Sequence, residues 1–381
     1  MRVVSSLLKR VVYPCLAGAG YFRSLRRTGI AVITYHGVVP ADYRRIDAGL
    51  DGSLVTAESF RQQLQLLKSN YHVISPEEMF AWFRKEYELP PRAVLITCDD
   101  GLANNFTEML PALLDQGLRC LFFVTGASAS DAPRMLWYQE LLLLLLHAPE
   151  GEFRFIAGGH TLSGELGSGE DRRRLWWKMV GDLSRIDSSS RELFLDRAQA
   201  HFGPERSVNF SAATCLEARS RLRLLTRSEL QQVAAAGMTI GAHTMTHPLL
   251  AQQPPELAWS EITECRDRLE LALDRKIWAF AYPFGQSDSV SPQVVSMVHE
   301  AGFAAAFMNI EGEVGAEPPM YAVPRIHVNA DMSLAEFEAH ISGFYGSLQR
   351  SFGRRATPIA LDFNSNRSLR TRETVTKQKT A

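Results

Sequence analysis

The chain is 381 residues long, 46% hydrophobic and 22% charged, with a net charge of −1. That is ample chain for one large or two medium domains with a buried core, and it excludes a fibrous or disordered protein. A charge so near zero gives no general attraction to nucleic acid or to a strongly acidic partner.

Residues 1–28 are basic and partly apolar, with Lys9-Arg10 splitting the apolar residues and more arginine following. They never supply the roughly 20 apolar residues a spanning helix needs. Pro14 and the arginine cluster argue against a signal peptide built on Val11 to Phe22. The functional reading is a segment lying on an anionic membrane surface; the plain one is a first helix covering the domain. Ile30–Tyr35 reads as a strand, Thr56–Ser69 as an amphipathic helix, and Ser75-Pro76-Glu77-Glu78 as the capped start of another. Ala93–Cys98 is a buried strand that delivers Asp99-Asp100 at its end. A helix over about Leu102–Gln116 stops at Gly117, and Cys120–Val124 is the next strand.

From about 126 to 225 the alternation breaks down into an aromatic–leucine helix (Met135–His147), a hairpin-like piece (Phe153–Gly169) and arginine-rich helices, which read as an insertion. Order resumes at the capping box Thr226-x-x-Glu229. The strand Met238–Ala242 then delivers His243. A helix over about Glu256–Leu273 leads to the strand Ile277–Ala281 and the turn Tyr282-Pro283-Phe284-Gly285. Ser291-Pro292 caps a helix, Phe303–Met308 and Arg325–Val328 are strands, and Ser333-x-x-Glu336 caps a last helix. Residues 349–381 are Arg/Ser/Thr/Lys-rich and expected to be disordered.

Three strings thus follow strands: Thr97-Cys98-Asp99-Asp100-Gly101, His243-Thr244-Met245-Thr246-His247, and Tyr282–Gly285. In a parallel α/β barrel functional groups sit at the C-terminal strand ends, where all three would converge. One carboxylate and two imidazoles form a facial ligand set for a divalent ion with a position left for water. Adjacent aspartates on a strand point to opposite faces, so at a strand end one can ligate while the other stands beside the water as base. Taken singly, Asp-Asp-Gly is a turn signal, HxxxH can be two surface histidines, and Tyr-Pro-Phe-Gly is a turn with an aromatic plug. Their joint occurrence after strands carries the weight.

These strings resemble the polysaccharide deacetylases of the NodB-homology type, carbohydrate esterase family 4. Thr97–Gly101 matches T-F-D-D-G with Cys98 for Phe, His243–His247 matches H-[ST]-x-x-H, and Ala281-Tyr282-Pro283-Phe284 partly matches R-x-P-[YF]. The resemblance spans about residues 30–125 and 226–330. It implies an α/β fold, a deformed (β/α)7-type barrel, here carrying a large insertion within residues 29–348. It implies one divalent metal, Zn²⁺ first with Co²⁺, Ni²⁺ or Mn²⁺ as alternatives, held by Asp100, His243 and His247. It makes Asp99 the base of a metal-bound water that attacks an acetamide carbonyl. The oxyanion would be held near Tyr282, Pro283 and Phe284.

Two departures follow. The motif-three arginine is Ala281 here, and Arg325 is the candidate substitute. The late Leu-x-His motif has His327 as its nearest match, while His36, paired with Tyr35 as in biofilm poly-N-acetylglucosamine deacetylases, is the preferred general acid. The expected activity is N-deacetylation of amino sugars in a polysaccharide or a lipid-linked saccharide. The alternatives are O-acetyl or formyl hydrolysis, or an inactive carbohydrate-binding member. Trp137, Trp176 and Trp177 are candidates to stack on sugar rings. Five cysteines without CxxC spacing fit a reducing compartment, so the chain is expected in the cytoplasm, with membrane contact at the inner surface.

Overall fold

The computed structural model describes residues 6–351 apart from 26–28, 41, 44, 46, 132–134, 158–159, 203–220, 313 and 316. Strands Ile30–Tyr35 (β1), Gly37–Val39 (β2), Leu54–Thr56 (β3), His72–Val73 (β4), Ala93–Cys98 (β5) and Leu121–Val124 (β6) lie before the insertion. Gly151–Ala157 (β7) and His160–Leu166 (β8) lie within it. Thr239–Ala242 (β9), Ala279–Ala281 (β10), Ala305–Phe307 (β11) and Ile326–His327 (β12) follow.

Eight strands form one sheet in the order β11-β10-β9-β6-β5-β1-β12, with β4 beside the start of β5. Every pairing is parallel. The strands are apolar along both faces because both are covered, as parallel sheets require. Ile30, Val32, Leu95, Leu121, Phe123 and Phe307 pack together on the inner face. Ile33, Ile96, Phe122 and Phe280 pack outward against helices that contribute Phe60, Leu64, Leu113 and Ile262. The sheet curls until its edges approach: Phe307 bridges Val323, and the Arg325 N–H donates to Ile310 O at 3.0 Å. This is the deformed barrel the sequence implied.

The helices that matter here are Tyr13–Gly18 (α1), Ala57–Asn70 (α2), Trp137–His147 (α3), Gly169–Ser184 (α4), Ser188–Phe202 (α5), Pro255–Leu273 (α6) and Leu334–Ile341 (α7). Helices α3, α4 and α5 with the antiparallel β7–β8 hairpin form the insertion, whose own core includes Trp137, Phe153, Met179, Leu183, Phe194 and Phe202. The leucine run of α3 is wholly buried because it serves two cores: Leu141, Leu144 and Leu145 face the insertion, while Leu142, Leu143 and Leu146 meet Val39, Leu50 and Leu54.

At the N-terminus Tyr13 and Phe22 pack on Ala339 of α7. Lys9 pairs with Glu336 at 2.8 Å and Arg23 with Glu338 at 2.9 Å. This segment therefore covers the domain as a first helix, while Leu7, Val11 and Tyr21 stay exposed. No described helix is long and apolar enough to cross a membrane. The helix capped by Ser333 is not the last. The chain restarts at Gly343, with φ +82°, into a helix over Phe344–Ser351. Phe344 seals against Phe22 at 5.3 Å between ring centroids, so residues 349–351 are helical, where a disordered tail was expected. The remainder of the tail, 352–381, lies outside the described residues.

Candidate active site

The end of β5 separates its two aspartates. The Asp99 N–H still donates to Tyr35 O (2.9 Å), then Asp100 and Gly101 both turn left-handed at φ +75°. Glycine is required at the second position: a Cβ there would lie 2.2 Å from Val124 Cγ1. The reversal sends the two carboxylates to different partners.

Asp99 meets Arg325 in a two-pronged pair, Nη1–Oδ1 and Nη2–Oδ2 both 2.6 Å, with both residues buried. Arg325 is itself fixed by donating from Nε to Met308 O at 2.9 Å and from Nη1 to Thr97 Oγ1 at 3.3 Å. Burial pushes the Asp99 carboxyl up, but the guanidinium opposes it and the net direction is below the ordinary carboxylate value.

Asp100 faces the histidines. Its Oδ1 lies 3.6 Å from His243 Nε2 and 3.3 Å from His247 Nε2, yet receives no hydrogen bond from the described residues. His243 Nδ1 sits 2.7 Å from Ala281 O, which makes Nδ1 the protonated nitrogen and leaves Nε2 a bare donor pair. The loop carrying His247 bends through φ +63° at both Thr244 and His247, and Thr244 Oγ1 accepts the His247 N–H at 2.9 Å. The candidate ligand atoms of Asp100, His243 and His247 all lie within 4.8 Å of one another. A buried carboxylate oxygen with no donor among the described residues, converging with two imidazoles, is a ligand set that could hold a divalent cation. Burial lowers the His247 pKa, keeping that imidazole neutral as a ligand must be.

A cleft of about 210 Å³ opens over these groups. His36, at the end of β1, and His327, at the end of β12, line it with ring centroids 4.8 Å apart. His327 Nδ1 lies 3.3 Å from the Asn309 amide nitrogen. Burial, helped by His36, lowers the His327 pKa to about 3. Gly49, Leu50, Ser53 and Leu54 form one wall; Tyr138, Gln139, Trp176 and Trp177 of the insertion form the other.

Of the residues singled out in the sequence, Asp99, Asp100, His243, His247, His36, His327 and Phe284 line this cleft, and Arg325 stands behind it. Tyr282 and Pro283 do not line it. The Tyr282 ring is a core residue with its hydroxyl donated to Tyr321 O at 3.0 Å and its N–H to Phe307 O. Pro283 has no N–H, so Phe284, at φ +60°, is the member of that turn that faces the cleft. Trp137 is buried and donates to His247 O at 3.2 Å, so it cannot stack on a sugar; Trp176 and Trp177 stand in the cleft wall. Sequence reasoning passed over Tyr138, Gln139 and Asn309. Nothing marks Asn309, but Tyr138 stands at the start of a helix whose leucines claim the core, a position left for another task.

The family model for polysaccharide deacetylase matches residues 208–306. YxkH of Bacillus subtilis (strain 168), named provisionally as a polysaccharide deacetylase, is 23% identical over 117 residues, 31% of this chain and 41% of that one. The chain therefore spans about two-fifths of that relative's length. A Streptococcus pyogenes deacetylase, PplD, solved in complex with acetate, superposes with a TM-score of 0.51 at 17% identity, over 82% of this chain and 97% of its own. IcaB from Ammonifex degensii superposes with a TM-score of 0.51 at 18% identity, over 84% and 99%. The deformed barrel is shared with both, and the resemblance read from the three motifs holds.

Proposed function

We propose that this chain, similar to the polysaccharide deacetylases in family-model match, fold and motifs, is a metal-dependent hydrolase removing N-acetyl groups from amino sugars. The observation that carries the reading is the division of labour between adjacent aspartates. Asp99 is locked to Arg325, and Asp100 is aimed with two histidines at one point of the same cleft.

Asp100, His243 and His247 would hold the ion, taken as Zn²⁺ with Co²⁺, Ni²⁺ or Mn²⁺ as alternatives. When bound it supplies Lewis acidity, lowering the pKa of water and polarising the acyl oxygen. Asp99, kept ionised by Arg325, accepts the proton of the attacking water. The Phe284 turn flanks the developing oxyanion. His36 gives a proton to the leaving amine, because a His327 with pKa about 3 is neutral at working pH and serves to place it. The products are acetate and a free amino sugar. Acetate release from N-acetylglucosamine oligomers tests the reading: activity in wild type and none in Asp99→Asn supports it, while equal release sinks it. The same assay on O-acetylated and formylated sugars separates the acyl groups.

The exposed Leu7, Val11 and Tyr21 beside Lys9 and Arg10 favour a second element of the reading, contact with an anionic membrane surface at its cytoplasmic side and a lipid-linked substrate. Sedimentation with phosphatidylglycerol vesicles tests it. Retention lost in a Leu7→Ser/Val11→Ser/Tyr21→Ser variant is expected, and retention unchanged refutes it.

A further inference from the structure

Two charged residues outside the cleft sit where helices bury their apolar faces. In α6 the buried positions are Ala258, Glu261, Ile262, Cys265 and Leu269; in α5 they are Arg191, Phe194, Leu195, Ala198 and Phe202. Glu261 and Arg191 thus hold core positions on two separate elements, one from the barrel and one from the insertion. A charge so placed must be paired.

They meet at the histidine loop. Arg191 Nη2 donates to Thr246 Oγ1 at 2.8 Å and stands 3.7 Å from Glu261 Oε1. The Thr246 N–H donates to Glu261 Oε2 at 2.7 Å, its hydroxyl donates to Glu261 Oε1, and the Met245 N–H donates to Glu261 O at 2.9 Å. The Arg191 guanidinium also lies over the Trp137 ring, 4.8 Å from its centre, and the Trp137 indole is the donor to His247 O. Arg191 also donates from Nη1 to Leu183 O at 3.4 Å within the insertion, but Arg191, Glu261 and Trp137 each hydrogen-bond a residue between or at the two histidines, a stretch with two left-handed non-glycine residues, Thr244 and His247. Such backbone persists only when its surroundings over-determine it.

We infer that Arg191, acting through Thr246, Glu261 and Trp137, is a positioning residue that holds the His243–His247 loop in its ligating shape, so that the insertion is a working part of the metal site. The inference rests on the proposed metal-dependent reading.

Cobalt binding by the full chain separates this role from a structural one. Arg172 is the control: it is equally buried, but donates only within the insertion, to Leu145 O (2.5 Å), Ala148 O (2.7 Å) and Gly167 O (2.9 Å). Arg191→Met and Thr246→Val are expected to bind Co²⁺ at least tenfold more weakly, with a changed visible spectrum. Amide exchange at His247 in their metal-free forms is expected to rise at least tenfold. Arg172→Met is expected to lower Tm and leave affinity, spectrum and His247 exchange as in wild type. Wild-type affinity, spectrum and exchange in both loop variants overturn the inference, whatever happens to Tm; should Arg191→Met fail to fold, the near-isosteric Thr246→Val decides alone. A wild type that binds no Co²⁺ overturns the metal reading itself, and this inference with it.

Discussion

Arg325 shows how a residue distant in sequence reaches a motif carboxylate, Asp99. The expected arginine is Ala281, whose carbonyl instead orients His243, and the guanidinium arrives from the far side of the ring, 226 residues beyond Asp99. The empty position was legible in sequence; the replacement was one arginine among several, standing just before the short strand β12. Arg325→Met should cut kcat/KM by about 10²-fold or more, near 3 kcal/mol of transition-state stabilisation. It should also cost about 3 kcal/mol of stability by stranding a buried carboxylate. The Asp99→Asn/Arg325→Met pair should regain stability in urea titrations without regaining activity. His327 supplies a pH signature. His36, Asp99, Asp100 and Arg325 face it, and its folded pKa is about 3, against roughly 6.5 in an unfolded chain. Between those values the unfolded state binds the extra proton. This group therefore costs nothing above pH 6.5 and removes about 1.4 kcal/mol per pH unit as pH falls toward 3. Urea midpoints at pH 7 and pH 5 should differ less in His327→Asn than in wild type; an equal difference would refute the assignment.

At the scale of elements, the barrel strands and most helices were legible because their signals are local, while the short β2 and β3 were not read. The strands β1, β5 and β6 are largely apolar runs, and helices begin at Ser or Thr caps whose side chains accept the expected N–H, as at Ser75, Thr226 and Ser333. The insertion was legible in its elements, the aromatic–leucine helix, the hairpin and the arginine-rich helices, but not in how they pack, since they are arranged by contacts with the barrel that no local pattern carries. The wall it builds should tune binding. Trp177 is 47% exposed and packs edge-on against Phe284 at 5.5 Å, so Trp177→Ala should raise KM for an oligosaccharide several-fold with little change in kcat or Tm. A kcat loss at constant KM would place Trp177 in the chemistry instead.

For the whole molecule, the parallel sheet makes one site out of residues spread along the sequence from His36 to His327. Every strand runs the same way, so the ends of β1, β5, β9, β10 and β12 bring His36, Asp99–Asp100, His243, Phe284 and His327 to one rim. That convergence was the most legible feature of all, because direction follows from alternating strands and helices alone. The turn after β5 at the rim is tight: Gly101→Ala, which must place a Cβ against Val124 at φ +75°, should destabilise by about 2–4 kcal/mol. The most direct test of the central claim is metal content by mass spectrometry on purified wild type, Asp100→Ala and His243→Ala. About one metal ion per wild-type chain is expected, lost in both variants while their circular dichroism stays folded. A folded wild type that holds no metal after supply with Zn²⁺ would contradict it.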